Sequence, residues 1–179
     1  MLLFFCSVGV TASAQNADSL FNVYTDFNLA RFQDESLEAF RLGEVLLPKA
    51  DKLPEKARVS FYNSLAKLYE DNSQFERALP LYEKVAVARP DYYVVHLALG
   101  HIYLRQAEAL ETKDKAVYTA LVNKIIPHLE KVQACDPYDE NLTLIKKLYH
   151  NINNDAGFAT LNTRLKTLKN KCLDILEDH

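Results

Sequence analysis

The chain has 179 residues, 49% of them hydrophobic, with Lys+Arg 21 against Asp+Glu 24 and a formal net charge of -3. That balance fits one domain able to bury a continuous core, and it leaves no basic excess or Arg/Lys stretch interleaved with aromatics for a nucleic-acid groove. Four glycines in the whole chain are too few for phosphate-cradling loops, and neither a Gly-x-Ser-x-Gly elbow nor a Gly-x-Gly-x-x-Gly run occurs.

Met1 to Ala14 carry no charge, run Leu2-Leu-Phe-Phe-Cys-Ser-Val-Gly-Val10 and end in Ala12-Ser13-Ala14. This reads as a secretory signal peptide, residues 1-14, cleaved after Ala14; its apolar run is shorter than the about 20 residues that a bilayer span takes. Lipid attachment at Cys6 is the lesser alternative, because Leu3-Phe4-Phe5 lacks the small residues of a lipoprotein signal.

From Ala17 onward the apolar residues keep a helical period with no strand-like alternation, which predicts an all-α domain over 15-179. Leu20, Tyr24, Phe27 and Phe32, then Asp34 as a cap before Leu37, Phe40, Val45 and Leu46, predict a first hairpin ending near Ala50. Tyr62, Leu65, Ala66 and Tyr69 stripe the next helix. Asp71-Asn72-Ser73 breaks it, and Ser73 with Glu76 reads as a capping box for a helix lined by Ala78, Leu79, Tyr82 and Val85. Pro90 closes this unit.

The pattern then returns. Leu65, Ala66 and Tyr69 recur as Leu99, Gly100 and Tyr103, 34 residues on, and a spacing of 34 points to stacked helical hairpins. Residues 78 to 90, with their proline and Glu-Lys-Val, recur at 125 to 137, so thirteen residues are inserted between Tyr103 and Ile125. The Ala/Leu/Glu/Lys-rich insert, around Glu111-Thr112-Lys113-Asp114, predicts that both helices of this hairpin lengthen by about two turns. Pro80 and Pro127 fall inside the two second helices. Leu142, Ile145, Leu148 and Tyr149 mark a further helix, and after a turn at Asn151 to Asp155 a long final helix runs through Phe158, Leu161, Leu165, Leu168, Cys172 and Leu176.

Candidates for chemistry are sparse. His96 and His101 are five apart, on different helix faces, so His96 reads as a packing residue and His101, His128 and His150 as surface residues rather than metal ligands. Cys135 and Cys172 read as two independent small core residues; a bridge near helix C-termini is the alternative. Asp34-Glu35 and Glu70-Asp71 sit at helix ends as caps. No nucleophile, base and orienting group can be named together, so no enzyme, cofactor or metal is expected.

Tyr62-x-x-Leu65-Ala66-x-x-Tyr69, Ala78-x-x-x-Tyr82 and Pro90 resemble the tetratricopeptide repeat, with Tyr62 at the position usually held by tryptophan. The resemblance implies an α-solenoid of about three antiparallel helical hairpins in a right-handed superhelix, its second full repeat lengthened. The repeats would span 17-55, 59-92 and 93-139, with a terminal hairpin at 140-177. It further implies a concave, partner-binding face on the first helices: Ser60, Asn63, Lys67, Glu70 and Asp71 in one unit and Val94, Leu97, His101, Leu104 and Arg105 in the next. Val94, Leu97 and Leu104 would meet either a partner's apolar side chains or a neighbouring hairpin.

These readings converge on a non-enzymatic interaction scaffold, exported to the periplasm or cell envelope, that binds a protein or peptide. It would carry no nucleic acid and no transmembrane segment in the mature chain. The alternative is a structural, self-associating subunit of an envelope assembly, for which a homo-oligomer would suffice.

Overall fold

Scarce glycine and a sustained helical period yield an all-α chain. The computed structural model describes the backbone of residues 11–176 and the side chains of residues 19–176. The expected leader lies outside the described residues except for its last four backbone positions. Among the described residues there are nine α-helices, a 3-10 turn and no strand: α1 Thr11–Phe32, α2 Ser36–Leu46, the 3-10 turn Leu47–Lys52, α3 Glu55–Asp71, α4 Phe75–Ala88, α5 Tyr93–Glu108, α6 Lys115–Cys135, α7 Asp139–Asn151, α8 Asp155–Ala159 and α9 Leu161–Leu168. Helices pack on their chain neighbours as pairs, α1 on α2, α3 on α4 and α5 on α6, and α9 returns to α6. None of the described helices is long and apolar enough to cross a membrane.

Three interhelical turns share one design. Asp34, Ser73 and Asn153 adopt φ of 58°, 58° and 54°. In each case the next residue's N–H reaches back five residues, as Glu35 to Ala30, Gln74 to Tyr69 and Asn154 to Tyr149, all at 2.8–2.9 Å. These bonds satisfy the last carbonyls of the preceding helix in the manner usually served by a left-handed glycine. Asp34 and Ser73 therefore end the helices before them instead of capping the helices after them. Neither α2 nor α4 has a side-chain cap, so the capping box at Ser73 and Glu76 does not form. Ser73→Gly removes the Cβ from a left-handed site and is expected to raise stability by about 0.5–1 kcal/mol, measured by urea unfolding.

The repeated tyrosines and the repeated glutamates turn out to be partners. Tyr69 of α3 donates to Glu44 of α2 at 2.7 Å, Tyr103 of α5 to Glu83 of α4, and Tyr149 of α7 to Glu130 of α6 at 2.6 Å. Each bond fastens the start of one helical pair to the end of the pair before it. Burial first, and then the facing carboxylate, pushes all three hydroxyls well above the usual tyrosine range. Arginine completes two of these clasps: Arg77 reaches Glu44 at 2.6 Å and Arg164 reaches Glu130 at 2.6 Å.

Between these clasps runs a continuous core, with Phe27, Phe61, Leu65, Tyr69, Leu99, Ile125 and Ile145 each 0–1% exposed. Close approach depends on missing side chains: a Cβ on Gly43 would stand 2.7 Å from Leu65, and one on Gly100 would stand 2.9 Å from Leu129.

Several sequence expectations need correction. The inserted thirteen residues lengthen mainly α6, which has 21 residues against 14 in α4, while α5 has 16 against 17 in α3. The rest forms the turn before Asp114, whose carboxylate caps α6 through the Ala116 and Val117 amides. Phe32, Leu37 and Val45, expected in the first core, are 84%, 88% and 47% exposed. The long final helix is broken at Thr160 and ends at Leu168. Beyond it the chain folds back, and Cys172 forms a disulfide with Cys135, Cα to Cα 5.5 Å. The two thiols are thus one covalent link, not separate core residues: the break in the helix carries Cys172 to the end of α6.

Candidate functional site

Helix α3 presents a polar strip because Asn63, Lys67 and Glu70 recur at three- and four-residue steps opposite its buried Leu65–Tyr69 side. Helix α5 presents Val94, Leu97, Ala98 and His101 by the same spacing. Between them lies a cleft of about 350 Å³, lined by these seven residues with the buried Tyr82 and Tyr92. One wall is therefore charged and polar, the other mostly aliphatic, with phenol rings at the base.

The polar wall is organised internally. Tyr82 donates to the Glu70 carboxylate at 2.7 Å, and burial followed by that carboxylate drives its hydroxyl far above the usual range. Lys67 pairs with Asp71 one turn away. Burial also raises the Tyr92 hydroxyl, with a hydrogen bond to Asn63 acting against the shift. These pairs engage the polar wall's side chains with one another, whereas Val94 and Leu97 on the other wall are aliphatic.

Six of the ten residues singled out in the sequence share this cleft: Asn63, Lys67, Glu70, Val94, Leu97 and His101. The other four do not line it. Ser60 is half-buried elsewhere on α3, and Asp71 is exposed at the helix end. Leu104 packs against the core. Arg105 lies over the Phe75 ring at 4.2 Å, in a separate hollow with Gln74 and Arg77. Along α5 the cleft thus runs only from Val94 to His101, about 10 Å at 1.5 Å per residue. Tyr82 and Tyr92 were not among the sequence candidates: Tyr82 reads as core on its helical stripe, and Tyr92 stands just before α5.

No family model, curated protein or solved structure matches this chain.

A second polar cluster bridges α5 and α6. His96 and His128 meet Nδ1 to Nδ1 at 2.8 Å, and His96 Nε2 faces the Pro90 carbonyl at 3.1 Å. A carbonyl only accepts, so His96 Nε2 carries the proton, its Nδ1 accepts, and His128 donates. His128 is half-buried, not a surface residue as its sequence setting suggested. Burial, and then the neighbouring His96, lowers its pKa from 6.5 to about 4; burial lowers His96 as well. Both rings are neutral in the folded chain at pH 7. A folded pKa below the unfolded value means that stability is full above pH 6.5 and falls as protons bind the unfolded chain preferentially. Between pH 6.5 and about 4 the loss from His128 is expected to approach 3 kcal/mol. Urea unfolding of the parent and of His128→Gln across this range checks it: the variant should lose much of the slope.

Proposed function

We propose that this chain is an exported, non-enzymatic tetratricopeptide-type scaffold that binds an extended segment of a partner protein in the groove between α3 and α5. The observation that carries this reading is the groove itself, where one aliphatic and one internally paired polar wall face each other across a solvent-reached cleft. Such a surface suits a peptide whose side chains cover Val94 and Leu97 while its edge meets Asn63 and Lys67. The repeat reading is supported by the three Tyr–Glu clasps at corresponding places in successive helical pairs. Export is supported by the disulfide, which persists in oxidising compartments.

Leu97→Glu sets an unpaired carboxylate on the aliphatic wall and is expected to weaken partner capture about 100-fold with the helical content unchanged. Undiminished capture by this variant would exclude the groove.

A second reading rests on the outer surface of the first hairpin. Phe21, Leu29 and Phe32 of α1 are 47%, 52% and 84% exposed, and Leu37 of α2 is 88% exposed. An apolar end of this kind suits self-association or incorporation into an assembly. Light scattering separates the two: a homodimer dispersed by Phe32→Glu favours assembly, and a monomer favours the groove.

A further inference from the structure

After Leu168 the chain keeps no helix, yet residues 169–176 are fastened back onto α6 and the start of α5. Cys172 is bonded to Cys135 at the end of α6. The Lys171 carbonyl accepts from the Lys131 ammonium, whose side chain is 5% exposed and which also pairs with Asp91 at 3.1 Å. Leu173 lies beside Tyr92: its N–H donates to the Asp91 carbonyl at 2.7 Å, and its carbonyl accepts from the Tyr93 N–H at 3.0 Å. Leu173 and Leu176 rest half-buried against the core.

These contacts are few for the length of chain they hold. Fixing one residue costs about as much conformational freedom as one net hydrogen bond returns. Here three hydrogen bonds and two half-buried leucines are set against the ordering of residues 169–176. The covalent link therefore decides whether the segment stays seated. That link is also reachable. Cys172 is exposed and Cys135 half-buried, so an incoming thiolate meets the Cys172 sulfur first.

We propose that Cys135–Cys172 is a site of thiol–disulfide exchange with a dithiol reductant, and that the exchange works as a latch. Closed, the bond seats residues 169–176 on α6. Open, it releases them and bares the Tyr93 amide, the Asp91 carbonyl and the Lys131 ammonium. One thiolate of the dithiol attacks Cys172 Sγ, and the Cys135 thiolate leaves and takes a proton. The second thiol then displaces Cys172 from the mixed disulfide. Two electrons and two protons pass to the cysteines, and the dithiol becomes a disulfide. Tyr92, in the same bared stretch, lines the groove between α3 and α5, so the latch adjoins that groove. It stands whether or not the groove binds a partner.

The Tyr93 amide reports the latch directly. Tyr93 opens α5, where an amide has no partner inside the helix, and the Leu173 carbonyl supplies one. Hydrogen exchange of the full chain would be followed by NMR, first oxidised and then in dithiothreitol without denaturant. Reduction should speed exchange at Tyr93 and Leu173 at least about tenfold, while Leu65 inside α3 and Leu99 inside α5 stay protected. Reoxidation should restore the protection. Cys172→Ser should exchange at both amides like the reduced chain, with or without dithiol; if that variant does not fold, the parent in dithiothreitol decides. A bond that dithiothreitol opens only in denaturant would overturn the proposal, as would Tyr93 protection that survives reduction or Cys172→Ser. Exchange at Leu65 and Leu99 that rises together with Tyr93 would overturn it too, by making the disulfide a staple of the whole fold.

Discussion

Phe27→Ala is expected to cost about 4 kcal/mol, the largest loss of any single truncation considered for this chain. The ring is fully buried, meets Phe61 edge-on with centroids 5.1 Å apart, and lies against the bare backbone of Gly43. Phe27 belongs to α1 and Phe61 to α3, so the pair joins the first helical pair to the second. Alanine would leave a cavity beneath Leu65 that cannot collapse without shifting both pairs. Because each pair packs chiefly on its neighbours, the damage should stay local. Hydrogen exchange in Phe27→Ala is expected to rise across α1 and α2 while α6 and α7 keep their protection; a loss below about 1.5 kcal/mol in urea unfolding would show that the joint is not there.

Arg164→Ala is expected to cost about 3 kcal/mol, although its counterpart Arg77→Ala should cost less than about 1 kcal/mol. Both guanidiniums bind a tyrosine hydroxyl and a glutamate in the same arrangement. What differs is burial. Glu44 and Arg77 have side chains 43% and 47% exposed, so water replaces whatever is removed. The Glu130 side chain is only 5% exposed and is held by both Arg164 and Tyr149. Without Arg164 its charge stays buried with a single hydroxyl partner, and desolvation is no longer offset. Glu130→Gln should recover part of the loss in the Arg164→Ala background, which distinguishes an uncompensated charge from lost packing. Equal costs for the two arginines would refute the argument from burial.

The parts of this fold that local periodicity controls were legible in the sequence. The helices around Tyr62–Tyr69, Ala78–Val85 and Ile145–Tyr149 follow from apolar residues at three- and four-residue spacing, and Pro90 marks a boundary that any helix must respect. Turn chemistry was not legible: a serine or aspartate between helices looks alike as an N-cap and as a left-handed terminator, and only the backbone separates Ser73 the one from Ser73 the other. Phe32 and Leu37 flank such a turn, where a helical stripe continues on paper after the neighbouring helix has ended. The Cys135–Cys172 link depends on chain return over 37 residues, which no local pattern encodes. The final helix misled for the same reason, since Leu168, Cys172 and Leu176 keep a helical period that the disulfide overrides.

For the groove, the resemblance to the repeat family pointed to these sides of the first helices and spacing put each residue set on one face, but neither gave how far the cleft extends. Asn63, Lys67, Val94 and Leu97 fall inside it, whereas Arg105 is drawn away by the Phe75 ring. A face on a helix has no ends in sequence; packing supplies them.

The most direct measurement is site-specific photo-crosslinking of the full chain in its native cells. A photoreactive residue would be placed at Leu97 or His101 in the groove, or at Phe32 on the exposed first hairpin. If the groove binds a partner segment, Leu97 and His101 will yield the same crosslinked protein and Phe32 will not. Crosslinks formed from Phe32 alone, or from Leu97 only to a second copy of the chain, would contradict the account.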